Sequence, residues 1–255
     1  MVTTAKKLSV ILLAFIVTII CSSHKKHPGR NNKTGRVIIS FINTVKTTPL
    51  VLDSAEYSNP FGEVYHVSKL KYYISNIILN SPQHSYVQAN SYHLIDAADP
   101  ASLMFVVNPP ESTYTSISFM VGVDSIKNVS GAQSGALDPA NGMFWTWNSG
   151  YVMFKLEGSS PASNIINHRI EYHIGGFSGP DKVLQEITLP LPATLNVRYG
   201  RNVEIVIAAD INKLWQGAGS IKIAETPATM TPGTLSKKIA DNYNSMFTIK
   251  EVSNK

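Results

Sequence analysis

The segment GALDPANGMFWTWNSGYVMFKLEG, residues 135–158, changes character half-way along. Asp138-Pro139 and Asn141-Gly142 are turn dipeptides, whereas Val152, Phe154 and Leu156 recur with the period of two that places them on one face of a strand. A loop therefore becomes a strand here. Trp145 and Trp147 lie between the two halves, and in extended backbone residues two apart point to the same side, so both indoles are presented together. Read plainly, this is a hairpin whose aromatics cap a core.

Working outward, the same alternation recurs. Val37 to Ile42 is β-branched and aromatic and predicts a first strand, with a second short one at Leu50-Val51-Leu52 after the turn near Pro49. Tyr65 to Leu79 alternates Leu70, Tyr72 and Ile74 with Lys71, Tyr73 and Ser75. Tyr114 to Val123 sets Ile117, Phe119, Val121 and Val123 against Ser116, Ser118 and Met120. Later strands are expected at His168 to Ile174, Val183 to Leu191 and Val203 to Ala208, punctuated by Gly175-Gly176, Pro190, Pro192 and Gly200. Asp210 to Trp215 suits one helical turn. Leu235, Ile239, Tyr243 and Met246 fall at helical spacing behind Thr234 as N-cap, which predicts a short C-terminal helix. Many short strands with Gly and Pro between them make an all-β, antiparallel, Ig-like β-sandwich with long loops the expected fold.

The first residues belong to a different regime. Lys6 and Lys7 precede an apolar run from Leu8 to Ile20, interrupted only by Ser9 and Thr18, which reads as an export signal over residues 1–21. Thirteen residues are short for a bilayer core of about 30 Å. The one cysteine of the chain, Cys21, stands where the run stops. It is the expected lipidation site, although Ile20 replaces the small residue usual before such a cysteine. Residues 22–35 read as a basic, flexible tether and 36–255 as a single domain. The protein is thus expected outside the cytoplasm as a membrane-anchored lipoprotein, periplasmic or on the outer-membrane surface. Once Cys21 is acylated, the folded body contains neither a disulfide nor a thiolate ligand. A net charge of +5 with 15% charged residues and no basic stripe is not a nucleic-acid footprint.

Catalytic patterns are missing from the sequence. There is no GxSxG elbow, no phosphate loop and no serine in a recognisable partnership with histidine and aspartate, so the chain is not expected to be an enzyme. Asp124, Asn128, Asp138 and Asn141 offer oxygens for calcium, but their spacing is not that of an EF-hand and turn formation explains them. Five histidines fall in the body: His66, His84, His93, His168 and His173. Strand alternation turns His173 away from the apolar side, on the side of Glu171, a carboxylate able to orient its imidazole.

Asp138, Pro139, Gly142, Met143, Trp145, Trp147, Ser149, Gly150 and Tyr151 together resemble the signature of the MbnP-like copper-binding proteins, a periplasmic or surface family associated with methanobactin. Phe41 to Leu52, Ser68 to Asn76 with Leu79, the YHLID of residues 92–96 and the GVDS of residues 122–125 are similar to further family segments, in order, so that the resemblance spans roughly Phe41 to Trp215. It implies a β-sandwich that binds copper through histidines, with His173 and His93 the first candidates and His66 the next. It also implies that Trp145 or Trp147 is oxidised to kynurenine by a di-haem partner of the MbnH type. In one respect this chain departs from the pattern: no histidine follows two places after either tryptophan, so the imidazoles must come from distant strands. The alternative is a non-catalytic binding module in which Tyr72, Tyr73, Trp145, Trp147 and Tyr151 form an aromatic platform for a glycan or a partner protein.

Overall fold

Period-two alternation dictates strands, and two sheets of them enclose one core. A computed structural model of the chain describes residues 33–88, 90–131, 133–145 and 150–254. The export signal, Cys21, the tether to residue 32 and Trp147 lie outside the described residues. In chain order the strands are β1 (Arg36–Val45), β2 (Thr48–Pro49), β3 (Tyr57–Ser58), β4 (Val64–Asn80), β5 (Ser85–Val87), β6 (Tyr92–Asp96), β7 (Met104–Val107) and β8 (Ser112–Val121). They continue with β9 (Phe144–Trp145), β10 (Gly150–Ser159), β11 (Arg169–Gly175), β12 (Gln185–Val197), β13 (Asn202–Asp210), β14 (Ala228–Thr229) and β15 (Phe247–Asn254). The smaller sheet runs β15-β13-β1-β2 with β7 also on β1, and the larger runs β12-β8-β4-β10-β11-β14 with β3, β5, β6 and β9 attached.

The all-β sandwich is as expected, but two of its pairings are parallel: β1 with β13 and β11 with β14. Alternation looks the same in both kinds of pair, so a parallel partner reached by a long crossover is invisible in the strand itself. The interior is built by the inward set of each strand, Val37, Ile39 and Phe41 from β1 and Leu70, Tyr72 and Ile74 from β4. Tyr72 lies between the sheets, stacked on Phe154 at 5.8 Å, with its hydroxyl donating to Asn43 Oδ1 at 2.8 Å. Burial pushes that phenol far above its usual range.

Several local expectations are corrected. Leu50 and Val51 are irregular and lead into a turn at 52–54, with the Leu50 N–H bonded to the Asn43 C=O at 2.9 Å, and the strand is confined to Thr48–Pro49. The C-terminal helix, α2, is Thr234–Asp241 with Gly233 rather than Thr234 at its N-cap; Tyr243 and Met246, although at helical spacing, follow in a tighter turn. The chain then ends in β15, which the helical reading had hidden. Lys33 to Gly35 already pair with 109–111, so the folded body begins slightly before residue 36. Among the described residues no helix is long and apolar enough to cross a membrane.

One departure positions the site. Between Val152 and Phe154 the β10–β11 register shifts, so Val152 pairs with Gly175 and Phe154 with Ile174, and the two no longer share a face. Both faces of β10 are covered all the same, and Val152, Met153, Phe154, Lys155 and Leu156 are all buried. The inner face meets the smaller sheet. The outer face lies beneath the long loop that follows β8.

Candidate functional site

That loop is held down by the sheet it covers. Asp138 caps the tight turn Pro139–Asn141 by accepting from the Ala140 N–H at 2.8 Å, and Gly142 closes it in the left-handed region at φ 70°. Two lysines then rise from the outer face to its carbonyls: Lys155 Nζ donates to Gly142 O at 2.5 Å and Lys71 Nζ to Asn141 O at 3.4 Å. Burial lowers the Lys155 ammonium pKa from its ordinary value. Asn128, at the end of the short helix α1 (Ser125–Val129), completes the anchorage. Its amide donates to Val123 O at 2.6 Å and Asp124 O at 2.9 Å, and its Oδ1 accepts the Tyr151 N–H at 2.9 Å. Asp124 meanwhile caps α1 and accepts the Tyr92 hydroxyl, so the polar loop side chains are occupied with turns and caps.

So anchored, the loop delivers β9, which pairs with β10 through Trp145↔Gly150 and Phe144↔Tyr151. Trp145 is 6% exposed. Its ring rests where Gly175 has no side chain: a Cβ there would meet Trp145 Cζ3 at 2.3 Å and Cη2 at 2.5 Å. Beside it opens a groove of about 720 Å³, with Trp145 and Tyr151 at the floor and Phe144, Phe177 and Pro232 among its walls. Phe144 stands edge-on to Tyr151 at 5.1 Å. Asp181 is the one acidic or basic side chain among the described lining residues.

The structure separates the three candidate histidines. His173 is buried on the outer face, opposite Lys155, and two residues before the Gly175 that carries Trp145. Of the three, it is the one on the same strand as the glycine beneath the indole. Its Nε2–H donates to Glu157 Oε1 at 2.8 Å, and this bond, aided by Lys69 at 2.7 Å, pulls the Glu157 carboxyl down to about 2. Glu157 therefore has the orienting role expected of Glu171, which instead pairs with Arg169 at 3.4 Å. His93 is opposite Ile74, on the inner face with Ile95, where its ring stacks on Phe105 at 3.5 Å. His66 is opposite Ser159, four residues along β10 from the partner of His173, or about 13 Å away, with its Nδ1 on Ala55 O at 2.9 Å. His84 stands edge-on to Tyr114, and His168 Nδ1 lies 3.1 Å from Ser163 O.

Imidazoles sharing one ion lie within about 4 Å of one another, and neither the two faces nor the strand spacing permits that here. Among the described residues no three histidine, cysteine, aspartate or glutamate side chains are grouped to hold a metal. His173, His93 and His66 are thus not brought together. The Lys155 ammonium lies 4.0 Å from the Glu157 carboxylate that binds His173. The aromatic platform is corrected too, since Tyr72, Tyr73 and Tyr151 are at most 1% exposed and belong to the core. In its place is the concave groove, whose contributors Phe177, Asp181 and Pro232 no local motif announced.

Comparison with known proteins follows the same outline. None of the curated proteins matches this chain in sequence. Among solved structures it is similar to MbnP from Methylosinus trichosporium, with 14% sequence identity and a TM-score of 0.51 over 87% of this chain and 99% of that one, a likeness of fold. The model of the MbnP family matches residues 34–232, from the β-bridge before β1 to the Pro232 wall of the groove, and the chain therefore belongs to the MbnP family.

Proposed function

We propose that this chain is an exported, non-catalytic binding protein whose working surface is the groove beside Trp145. The observation that supports this reading is the groove itself: it is concave, mostly apolar and of small-molecule size, and it is walled by a hairpin that Lys71, Lys155 and Asn128 immobilise. Titration of a small-fragment set followed by amide NMR is expected to move the Phe144, Tyr151 and Phe177 signals. Ser178→Trp, a substitution at an exposed lining position, is expected to abolish those shifts without changing the fold. Shifts that fall elsewhere, or that survive the filled groove, would refute the reading.

A second reading, a copper protein with a tryptophan oxidised by a di-haem partner, is supported by one arrangement: His173, held through Nε2 by the Glu157 carboxylate, stands two residues from Gly175, on which the Trp145 ring rests. It carries family membership to its finer consequence, with His173 as its imidazole. Copper retained after loading and desalting should then exceed that of His173→Ala, and co-expression with a di-haem partner should alter the intact mass. Equal retention by the two proteins would end this second reading and leave the first untouched.

A further inference from the structure

Resting on the groove reading above, we infer that the groove takes an alkylated ammonium group, the cationic head of a choline-like or betaine-like compound. The observations are those of an aromatic-lined groove with one negative charge. Phe144 and Phe177, both half-buried, line the groove beside Trp145, so a guest there meets more than one ring. Ring faces carry negative potential and hold a cation within about 6 Å of the centroid.

Asp181 supplies the full charge. It is half-buried at the end of the Gly179–Asp181 turn, and no lysine, arginine or histidine among the described residues pairs with it. Of the other polar side chains in the described lining, the Asn128 amide and the Tyr151 hydroxyl are committed to hydrogen bonds within the fold, which leaves the Ser178 hydroxyl and few further acceptors. A primary ammonium would bring three N–H donors needing partners; a trimethylammonium brings none, and offers methyl groups to apolar walls instead. The charge balance therefore selects a cation, and the scarcity of acceptors selects a methylated one.

Calorimetric titration of the full chain with choline, set against its uncharged carbon isostere 3,3-dimethylbutan-1-ol, tests the inference. Choline is expected to bind saturably and at least tenfold more tightly than the isostere. Asp181→Asn should reduce choline to the level of the isostere and leave the isostere unchanged. Equal binding of the two probes, or an Asp181→Asn variant that still prefers choline, would overturn the cation assignment while the groove reading stands. Fragments that bind when choline does not would do the same. Sedimentation with phosphatidylcholine vesicles separates the two sources of such a group: protein that co-sediments and is displaced by free choline uses a lipid headgroup, and protein that binds choline but stays in solution uses a soluble compound.

Discussion

Gly175→Ala is expected to lower the unfolding free energy by about 3 kcal/mol and to expose Trp145. Its backbone conformation is ordinary, so the whole effect is steric. The added methyl would lie 2.3 Å from the indole and 3.0 Å from the Tyr151 carbonyl oxygen, and one of them has to move. Moving the carbonyl would disturb the β10 backbone on the strand beside it, so the cheaper response is for the indole to leave its seat, with loss of its burial. The result is read as a fall in the urea midpoint together with a red shift of tryptophan emission. Gly158→Ala is the contrasting variant, because its methyl would meet the His66 carbonyl oxygen at 1.9 Å, far from the hairpin. Similar destabilisation with native-like emission is expected there. An unchanged midpoint and spectrum in Gly175→Ala would mean that Trp145 does not rest on that glycine, and the groove would lose its floor.

The second large effect is a pH dependence set by His93. Packed flat on Phe105, with its Nε2 buried and lacking a hydrogen-bond partner among the described residues, His93 is lowered by desolvation to about 4. The sign follows from proton uptake. As pH falls below about 6.5 the unfolded chain accepts a proton that the folded protein refuses until about pH 4, so stability is present above that window and is lost on the way down through it. Discounted for partial solvent access, the loss between pH 7 and pH 4.5 is about 2 kcal/mol. His93→Leu keeps an apolar side chain against Phe105 and should remove that part of the pH slope; urea unfolding at the two pH values measures it. Parallel slopes in the wild type and the variant would show that the imidazole is not held neutral by this contact. The same environment weighs against metal ligation, since the ring lies on the inner side of the sheet, away from Trp145.

How much of the site was legible varied with the range of the interaction. Asp138-Pro139 and Asn141-Gly142 announced a tight turn because their signals act within four residues, and that turn is present with the Asp138 cap and the left-handed Gly142. His173 on the outer face followed from counting alternate residues along β11. Its partner did not follow. Glu171 is the nearer carboxylate in sequence, but Glu157, on the neighbouring strand, is the one within 2.8 Å, because side chains that meet across a sheet are set by register. Lys71 and Lys155 alternate with apolar residues along their strands, a pattern that leaves their cover undetermined. Their burial became apparent only when the loop was laid over them. The aromatic residues Tyr72, Tyr73 and Tyr151 misled for the same reason: alternation sorts residues to two faces, and it cannot tell that both are covered.

The sequence alone determined most of the long strands, the turn-to-strand change at residues 135–158 and the all-β class, since hydrophobic periodicity and turn chemistry act over a few residues. Family resemblance was equally legible, in short segments strung along one chain. Tertiary structure decided the parallel partnership of β1 with β13, the separation of His93, His66 and His173, and the seat of Trp145 on Gly175. Those depend on which strand lies beside which, in what register and under what cover, and these are relations between residues as much as 166 positions apart, as Arg36 and Asn202 are in the first pair of the β1–β13 ladder.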